Sequence, residues 1–171
     1  IESGTVTSSP IKGTRPRSQD PVLDAQLAAE LGESEKEQAE NLMIVDLVRN
    51  DLSVVCEPES ILVSDLLKVR SYSTVHQLVS DVRGMLRPDV KTSQAIAALF
   101  PGGSMTGAPK IRATEIIREL ETAERAGYSG AIGFISGNGN LDLGMVIRTA
   151  VFESNSVTIG IGRSEEHTSE L

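Results

Sequence analysis

Lys12 is a candidate nucleophile because of the residues on either side of it. It follows Pro10 and Ile11 and precedes two arginines, Arg15 and Arg17. A protonated lysine amine does not attack carbon, so covalent catalysis requires burial or nearby cations that favour the neutral amine. The apolar pair could provide the burial and the arginines the positive charge. The alternative is an exposed loop lysine, and these residues alone leave both open.

Glu37 and Glu40 are the candidate ligands for a hard cation. They lie three residues apart in a segment with helical character, so they share one helix face. Carboxylate oxygens suit Mg²⁺ that keeps several of its waters. Cys56 and His76 do not have metal-ligand spacing, and we interpret His76 as a core histidine bonded to a backbone carbonyl rather than a general base. A solvated carboxylate face is the alternative for the glutamate pair.

A glycine-rich turn that leads into an amphipathic helix, residues 100–120, has the form of an anion site. We expect Pro109 at the first helical position and Thr106 or Gly107 as the cap. Unpaired N–H groups of the first turn would then favour a carboxylate or phosphate. A well-capped core helix is an equally good interpretation. The Walker A motif is excluded because Ala108 and Pro109 stand where it needs Lys followed by Ser or Thr.

Arg148 is expected in the middle of a strand, on the same face as Asp142. An unpaired buried guanidinium costs several kcal/mol, roughly, so Arg148 should meet either Asp142 or an anionic ligand. The strand belongs to a hairpin whose turn contains Asn138 and Gly139. The sequence therefore predicts a second positively charged position for an anion.

The elements that must position these side chains alternate between helices and strands. Asp20 should cap the first helix, and a capping box of Ser34 and Glu37 should start the second. The predicted elements are a short N-terminal polar strand, helices at 20–31, 34–52 and 92–99, the helix within 100–120, strands at 61–74 and 75–86, the hairpin at 130–152, and a strand from 157 to 162.

Composition limits the class of protein. The chain has 171 residues, enough for one domain, and a net charge of −8 with no basic run interleaved with aromatics, which argues against a nucleic acid partner. It has no apolar run long enough to cross a membrane. The single cysteine, Cys56, suits a reducing compartment and a structural thiol. We therefore expect a cytoplasmic protein without a membrane segment.

Six segments in this order resemble the chorismate-utilising enzymes. The resemblance implies an α+β fold of two packed antiparallel β-sheets flanked by helices, in the manner of anthranilate synthase component I, with the site between the sheets. The segments are PIKGTRPR (10–17), AENLMIVDLVRNDL (39–52), YSTVHQLVS (72–80), PGGSMTGAPKIRA (101–113), GYSGAIGF (127–134) and LDLGMVIRT (141–149).

The family resemblance also implies site roles. It implies Mg²⁺ bound by Glu40, with Glu37 as a possible second ligand, and a loop at Thr106 and Gly107 that holds the ring carboxylate side of chorismate. A clamp on the enolpyruvyl carboxylate is implied for four further residues: Tyr128, Arg148, Gly160 and Gly162.

The residue type at position 12 distinguishes two groups within the family. The form PIKGT resembles members that aminate chorismate at C4, whereas members that make anthranilate typically have alanine in that place. The implied reaction is a Lys12 adduct at C2, followed by ammonia from a glutamine amidotransferase partner. An anthranilate-forming enzyme and a non-catalytic chorismate-binding or dicarboxylate-binding module are the alternatives.

The family pattern extends beyond both ends of this chain. A strand before PIKGT and an acidic helix after VTIGIG are not in the sequence, so we expect residues 1–162 to be a catalytic domain truncated at both ends and inactive alone. Residues 163–171, RSEEHTSEL, match the translation of a common sequencing-adapter string. We expect them to be an artefact outside the fold.

Overall fold

A computed structural model describes residues 1–162, so the segment interpreted as a translated adapter lies outside the described residues. The α+β class with antiparallel sheets is confirmed. The described elements are, in chain order, β1 Thr5–Ser8, β2 Ile11–Pro16, α1 Pro21–Glu33, α2 Glu35–Ser53, β3 Leu62–Ser71, β4 Val75–Met85, α3 Thr92–Leu99, α4 Gly103–Thr106, α5 Lys110–Leu120, β5 Ala131–Ile135, β6 Leu141–Met145, β7 Ala150–Phe152 and β8 Val157–Ile159.

Strand β4 is the centre of the larger sheet. Strand β3 pairs with one of its edges, and β1 and β2 follow each other along the other edge, all antiparallel. The register is constant from Thr5 opposite Met85 to Ile11 opposite Val79 and then shifts before Thr14. This shift is a β-bulge, and it contains Lys12 and Gly13. At the bulge, the side chain of one β2 residue points in a direction that the alternation of a regular strand would not give it.

Helices α1 and α2 pack against the larger sheet, and both begin as the sequence predicts. The Asp20 carboxylate accepts a hydrogen bond from the Val22 N–H, and the Ser34 hydroxyl accepts one from the Glu37 N–H. The apolar C-terminal half of α2 joins β1, β4 and α3 in the core. The buried core residues are Val6, Ile44, Val45, Val48, Leu52, Val55, Cys56, Val82 and Ala95. Cys56 is fully buried, as expected of a structural thiol, and burial raises the pKa of that thiol.

The glycine-rich turn differs from the prediction. Thr106 ends the short helix α4, and Gly107 follows it with φ of 95°. Helix α5 starts only at Lys110, after Pro109, with no side chain capping its first turn. The expected cap at Thr106 or Gly107 is therefore wrong. The physical reason is that the positive φ of Gly107 and the extended backbone of Pro109 turn the chain before the second helix begins.

The hairpin of β5 and β6 is confirmed, with Gly139 in its turn at φ of 88°. The return strand is shorter than predicted, because it ends at Met145. The Ile147 N–H bonds back to the Met145 carbonyl, which turns the chain out of the ladder. Arg148 therefore has φ of 51° and is exposed, so its predicted burial in mid-strand is wrong.

Two further features complete the described fold. Strands β7 and β8 form a second small hairpin. The first residue, Ile1, exchanges backbone hydrogen bonds of 2.8 and 2.9 Å with Leu141 at the start of β6, which joins the N-terminal segment to the first hairpin. None of the helices within residues 1–162 has the length and hydropathy needed to cross a bilayer.

Candidate active site

Lys12 and Glu40 are brought together by β2 and α2. The Lys12 Nζ lies 3.5 Å from Glu40 Oε2, and the two side chains are only 17% and 12% exposed. The other oxygen of Glu40 lies 3.8 Å from the Nζ of Lys36, one helical turn earlier. Lys12 is thus a partly buried side chain at a bulge. The alternative interpretation, an exposed loop lysine, is therefore excluded. Attack by the Lys12 amine requires that it leave the Glu40 carboxylate.

The two arginines near Lys12 are paired with other carboxylates. Arg15 lies 2.9 Å from Glu30 and 3.8 Å from Glu37, and Arg17 makes a bidentate contact with Asp24. Hydrogen bonding to Arg17 holds the pKa of the Asp24 carboxyl well below its usual range. Both arginines are therefore paired with acidic side chains, and Glu40 is a charged group that lies against Lys12.

Glu37 faces the bulge beside Lys12. A Cβ added to Gly13 would lie 2.9 Å from Glu37 Oε2, so this carboxylate lies against the backbone of β2. Glu37 is 20% exposed and Glu40 is 12% exposed, which does not fit a solvated carboxylate face.

The donor set suits Mg²⁺ in part. No group of three or more His, Cys, Asp or Glu side chains with metal-site geometry is found among residues 1–162. Mg²⁺ is commonly held by one or two carboxylates, with waters and substrate oxygens as its other ligands. Glu40 and Glu37 offer two such carboxylates, each beside a cationic side chain that a metal ion would replace.

His76 is a buried histidine with two side-chain partners. It is 2% exposed; its Nδ1 lies 2.8 Å from the Ser71 hydroxyl and its Nε2 lies 3.0 Å from Asp24. The expected core histidine is confirmed, although side chains rather than a backbone carbonyl satisfy the ring. This network ties the turn between β3 and β4 to the start of α1.

Tyr128 and Gly160 line an open groove of about 710 Å³, and Gly162, outside the described lining of the groove, contacts the Tyr128 side chain. The groove lies between the segment that follows α5 and the hairpin of β7 and β8. Both glycines contact the Tyr128 side chain so closely that a Cβ at either position would overlap it. Arg148 is absent from the described lining of this groove, although its neighbour Thr149 is part of it. The structure thus brings together three members of the expected clamp and leaves the arginine outside.

Thr106 and Gly107 lie in a loop that rests on α2. The Thr106 hydroxyl donates to the carbonyls of Gly102 at 3.4 Å and Gly107 at 3.3 Å. Gly103 packs against Leu47 of α2, where an added Cβ would lie 2.9 Å from Leu47 Cδ1. The loop is therefore positioned by the same helix that carries Glu40.

Two charged residues that the sequence analysis did not single out support this loop. Lys110 donates to Asp51 of α2 at 2.7 Å, and Arg125 donates to the Met105 carbonyl at 2.9 Å. Arg125 also lies 5.8 Å from the centroid of the Tyr128 ring, which links the loop to the groove. A polar Asp51 within the apolar half of α2 was the available signal for the first contact. The second contact left no signal, because its acceptor is a backbone carbonyl.

Residues 1–163 match the family model described as chorismate binding enzyme. The chain is 54% identical over 159 residues to an aminodeoxychorismate synthase of Streptomyces pristinaespiralis, which covers 93% of this chain and 22% of that protein. It is 51% identical over 160 residues to a chloroplastic aminodeoxychorismate synthase of Arabidopsis thaliana, which covers 94% of this chain and 17% of that protein. The chain thus spans about a fifth of the length of these two relatives.

A solved structure supports the same fold. Anthranilate synthase component I from Streptococcus pneumoniae superposes with a TM-score of 0.77 and 41% sequence identity. The match covers 88% of this chain and 32% of that protein. The described elements therefore correspond to part of a longer fold in that relative.

Proposed function

The chain belongs to the chorismate binding enzyme family, and from this premise we propose that the protein containing it aminates chorismate to 4-amino-4-deoxychorismate. The observation that carries the proposal is the lysine of PIKGT, Lys12, at a bulge 3.5 Å from Glu40. Similarity to relatives named aminodeoxychorismate synthase supports it. The product would be a precursor of 4-aminobenzoate and folate.

Lys12 would act as the nucleophile. Its amine attacks C2 of chorismate, the ring double bonds shift, and the C4 hydroxyl leaves. Ammonia then adds at C4, and the electrons return through the ring to expel the lysine amine from C2. A glutamine amidotransferase, as a separate subunit or a fused domain, would supply the ammonia. Because Lys12 is regenerated, it turns over as a covalent catalyst.

The remaining site residues would hold a dianionic substrate. Glu40, with Glu37, would bind Mg²⁺, which supplies positive charge for the ring carboxylate. Thr106 and Gly107 would orient that end of the substrate. The enolpyruvyl carboxylate would be held at the groove by four residues: Tyr128, Arg148, Gly160 and Gly162. Arg148 is exposed in the described structure, so this role requires it to turn toward the groove.

The reaction is tested with the protein expressed from its full reading frame. Chorismate, Mg²⁺ and ammonia are supplied with and without aminodeoxychorismate lyase, and the aromatic product is identified by chromatography. The proposal expects 4-aminobenzoate only when the lyase is present. Fluorescent anthranilate in the absence of lyase would show the rival activity, anthranilate synthesis. Chorismate binding without turnover would instead support a non-catalytic binding module.

The nucleophile is tested by comparing two lysines that contact the same carboxylate. Lys12→Ala should abolish the covalent adduct seen by mass spectrometry when chorismate is supplied without ammonia. Lys36→Ala removes a 54% exposed lysine from the other oxygen of Glu40 and should leave the adduct intact. An adduct of unchanged yield in Lys12→Ala would contradict the role assigned to Lys12.

A further inference from the structure

Asn41 is a fully buried polar residue next to Glu40 on α2. It is 0% exposed, and every polar atom of its side chain has a partner. Its amide nitrogen donates to the Pro10 carbonyl at 3.4 Å and to the Leu78 carbonyl at 3.3 Å. Its amide oxygen accepts a hydrogen bond of 2.5 Å from the Ser80 hydroxyl. Burying an amide of this kind is costly unless its partners are held in place.

The contact with Pro10 lies just before the bulge that carries Lys12. The Pro10 carbonyl accepts two hydrogen bonds, one from the Ser80 N–H at 3.1 Å and one from Asn41. The first bond belongs to the sheet and fixes Pro10 relative to β4. The second crosses from the sheet to α2 and fixes Pro10 relative to the helix that carries Glu40.

Ser80 extends the same network to the far edge of the sheet. Its hydroxyl also accepts a hydrogen bond of 2.9 Å from the Leu67 N–H, at an irregular position of β3 where φ is 52°. Strands β3 and β4, the residue before β2 and helix α2 therefore meet at two buried side chains, Asn41 and Ser80.

We propose that Asn41 is a positioning residue for Lys12. Its amide nitrogen donates to the Pro10 carbonyl and thereby fixes the distance between the bulge and α2. The inference rests on the proposed function, in which Lys12 forms the adduct. Asn41 can position Lys12 relative to Glu40 because Lys12 is two residues from Pro10 and Glu40 is adjacent to Asn41 on α2. A residue that links both partners fixes the distance between them.

The test compares Asn41→Ala with a matched core variant in the full-length protein. Val48→Ala removes a buried side chain from the same helix without touching Pro10. Asn41→Ala should slow adduct formation by up to about 10²-fold, the effect of a displacement near 1 Å, while the KM for chorismate changes little. Val48→Ala should lose thermal stability yet keep the adduct rate. Ser80→Ala, which keeps both donors of Asn41, should also keep most of the rate.

Three outcomes decide the matter. A wild-type adduct rate in Asn41→Ala overturns the inference, and so does an equal loss of rate in Val48→Ala. If the unsubstituted protein forms no adduct, the proposed function fails, and hydrogen exchange of the 10–16 peptide then tests the positioning by itself. That peptide should exchange faster in Asn41→Ala than in Val48→Ala, and equal rates would overturn it. Should Asn41→Ala fail to fold, Asn41→Ser is judged by the same criteria.

Discussion

Gly13 and Glu37 approach each other so closely that the strand has no room for a side chain. A Cβ at Gly13 would lie 2.9 Å from Glu37 Oε2 and 2.8 Å from Leu31 Cδ1, and Gly13 has φ of 84°. The contact holds β2 against both helices at the point where Lys12 leaves the regular strand. It explains in physical terms why a glycine follows the lysine.

Gly13→Ala is expected to weaken both folding and catalysis. A left-handed backbone at a non-glycine residue costs about 1–3 kcal/mol, and the methyl group would also displace Glu37. Thermal unfolding and the rate of Lys12 adduct formation measure the two effects. Gly137→Ala is the control, because it has ordinary φ and nothing within 4 Å of the added Cβ. Equal behaviour of the two variants would contradict the close packing at Gly13.

Gly160→Ala should raise the KM for chorismate. The added methyl group would overlap the Tyr128 ring and push it out of its place in the groove. Because the groove is proposed to hold the enolpyruvyl carboxylate, binding should suffer more than kcat. Gly127→Ala, beside the same tyrosine but with open space around the added Cβ, should have a smaller effect. Steady-state kinetics on the full-length protein would refute the assignment if both KM values stayed at that of the wild type.

Lys110→Met should destabilise the protein by leaving Asp51 unpaired. The two side chains are 17% and 12% exposed, and removing one partner of a buried ion pair costs about 3–5 kcal/mol. Partial exposure places the expected loss toward the lower end of that range. Arg112→Met breaks an exposed pair with Glu115 on the same helix and should cost less than about 1 kcal/mol. Thermal unfolding would contradict the role of Lys110 if the two variants lost equal stability.

Acid should loosen the contact between α1 and the larger sheet. Hydrogen bonds from Arg17 and from the Ser18 N–H lower the pKa of Asp24 in the folded protein. The stability that Asp24 contributes is therefore fully present above the unfolded pKa, about 3.9, and is lost as pH falls below it toward the folded pKa.

The variant Asp24→Asn isolates this contribution. It should lower the Tm at pH 7 and flatten the dependence of Tm on pH below about 4. Asp46→Asn, at an 83% exposed carboxylate, should leave the Tm at pH 7 nearly unchanged. Parallel Tm profiles for Asp24→Asn and the wild type between pH 5 and pH 2 would contradict the assignment.

Local signals in the sequence were sufficient to predict the elements of the first half of the chain. Asp20 and Ser34 cap α1 and α2 because the capping side chain and the backbone N–H that donates to it are two or three residues apart, a relation that residue order alone reveals. Strands β3 and β4 are visible from their β-branched residues. The bulge at Gly13 was not predicted, because it depends on how β2 pairs with a strand more than 60 residues later.

The second half of the chain shows what residue order leaves out. Alternation along 141–152 suggested one long strand, but the ladder stops at Met145, so Arg148 is exposed. Thr106 and Gly107 have suitable types for a cap, yet the backbone of Gly107 directs the chain away before α5 begins. The pairing of Lys12 with Glu40 also depends on tertiary packing, since it joins a strand to a helix. Resemblance to a family could suggest these residues, but only the packing of β2 on α2 places them together.

The hydrogen bonds between Ile1 and Leu141 set a condition on the folding of this chain. They close a loop of 140 residues, whereas β3 and β4 can pair as soon as a short turn has formed. Contacts between residues distant along the chain form late, because the loss of chain entropy comes before any gain from pairing. On the ribosome, the larger sheet can assemble while Leu141 is still being synthesised. The backbone of Ile1 lacks this partner until residue 141 has been made, so the contact between the N-terminal segment and β6 forms after the larger sheet.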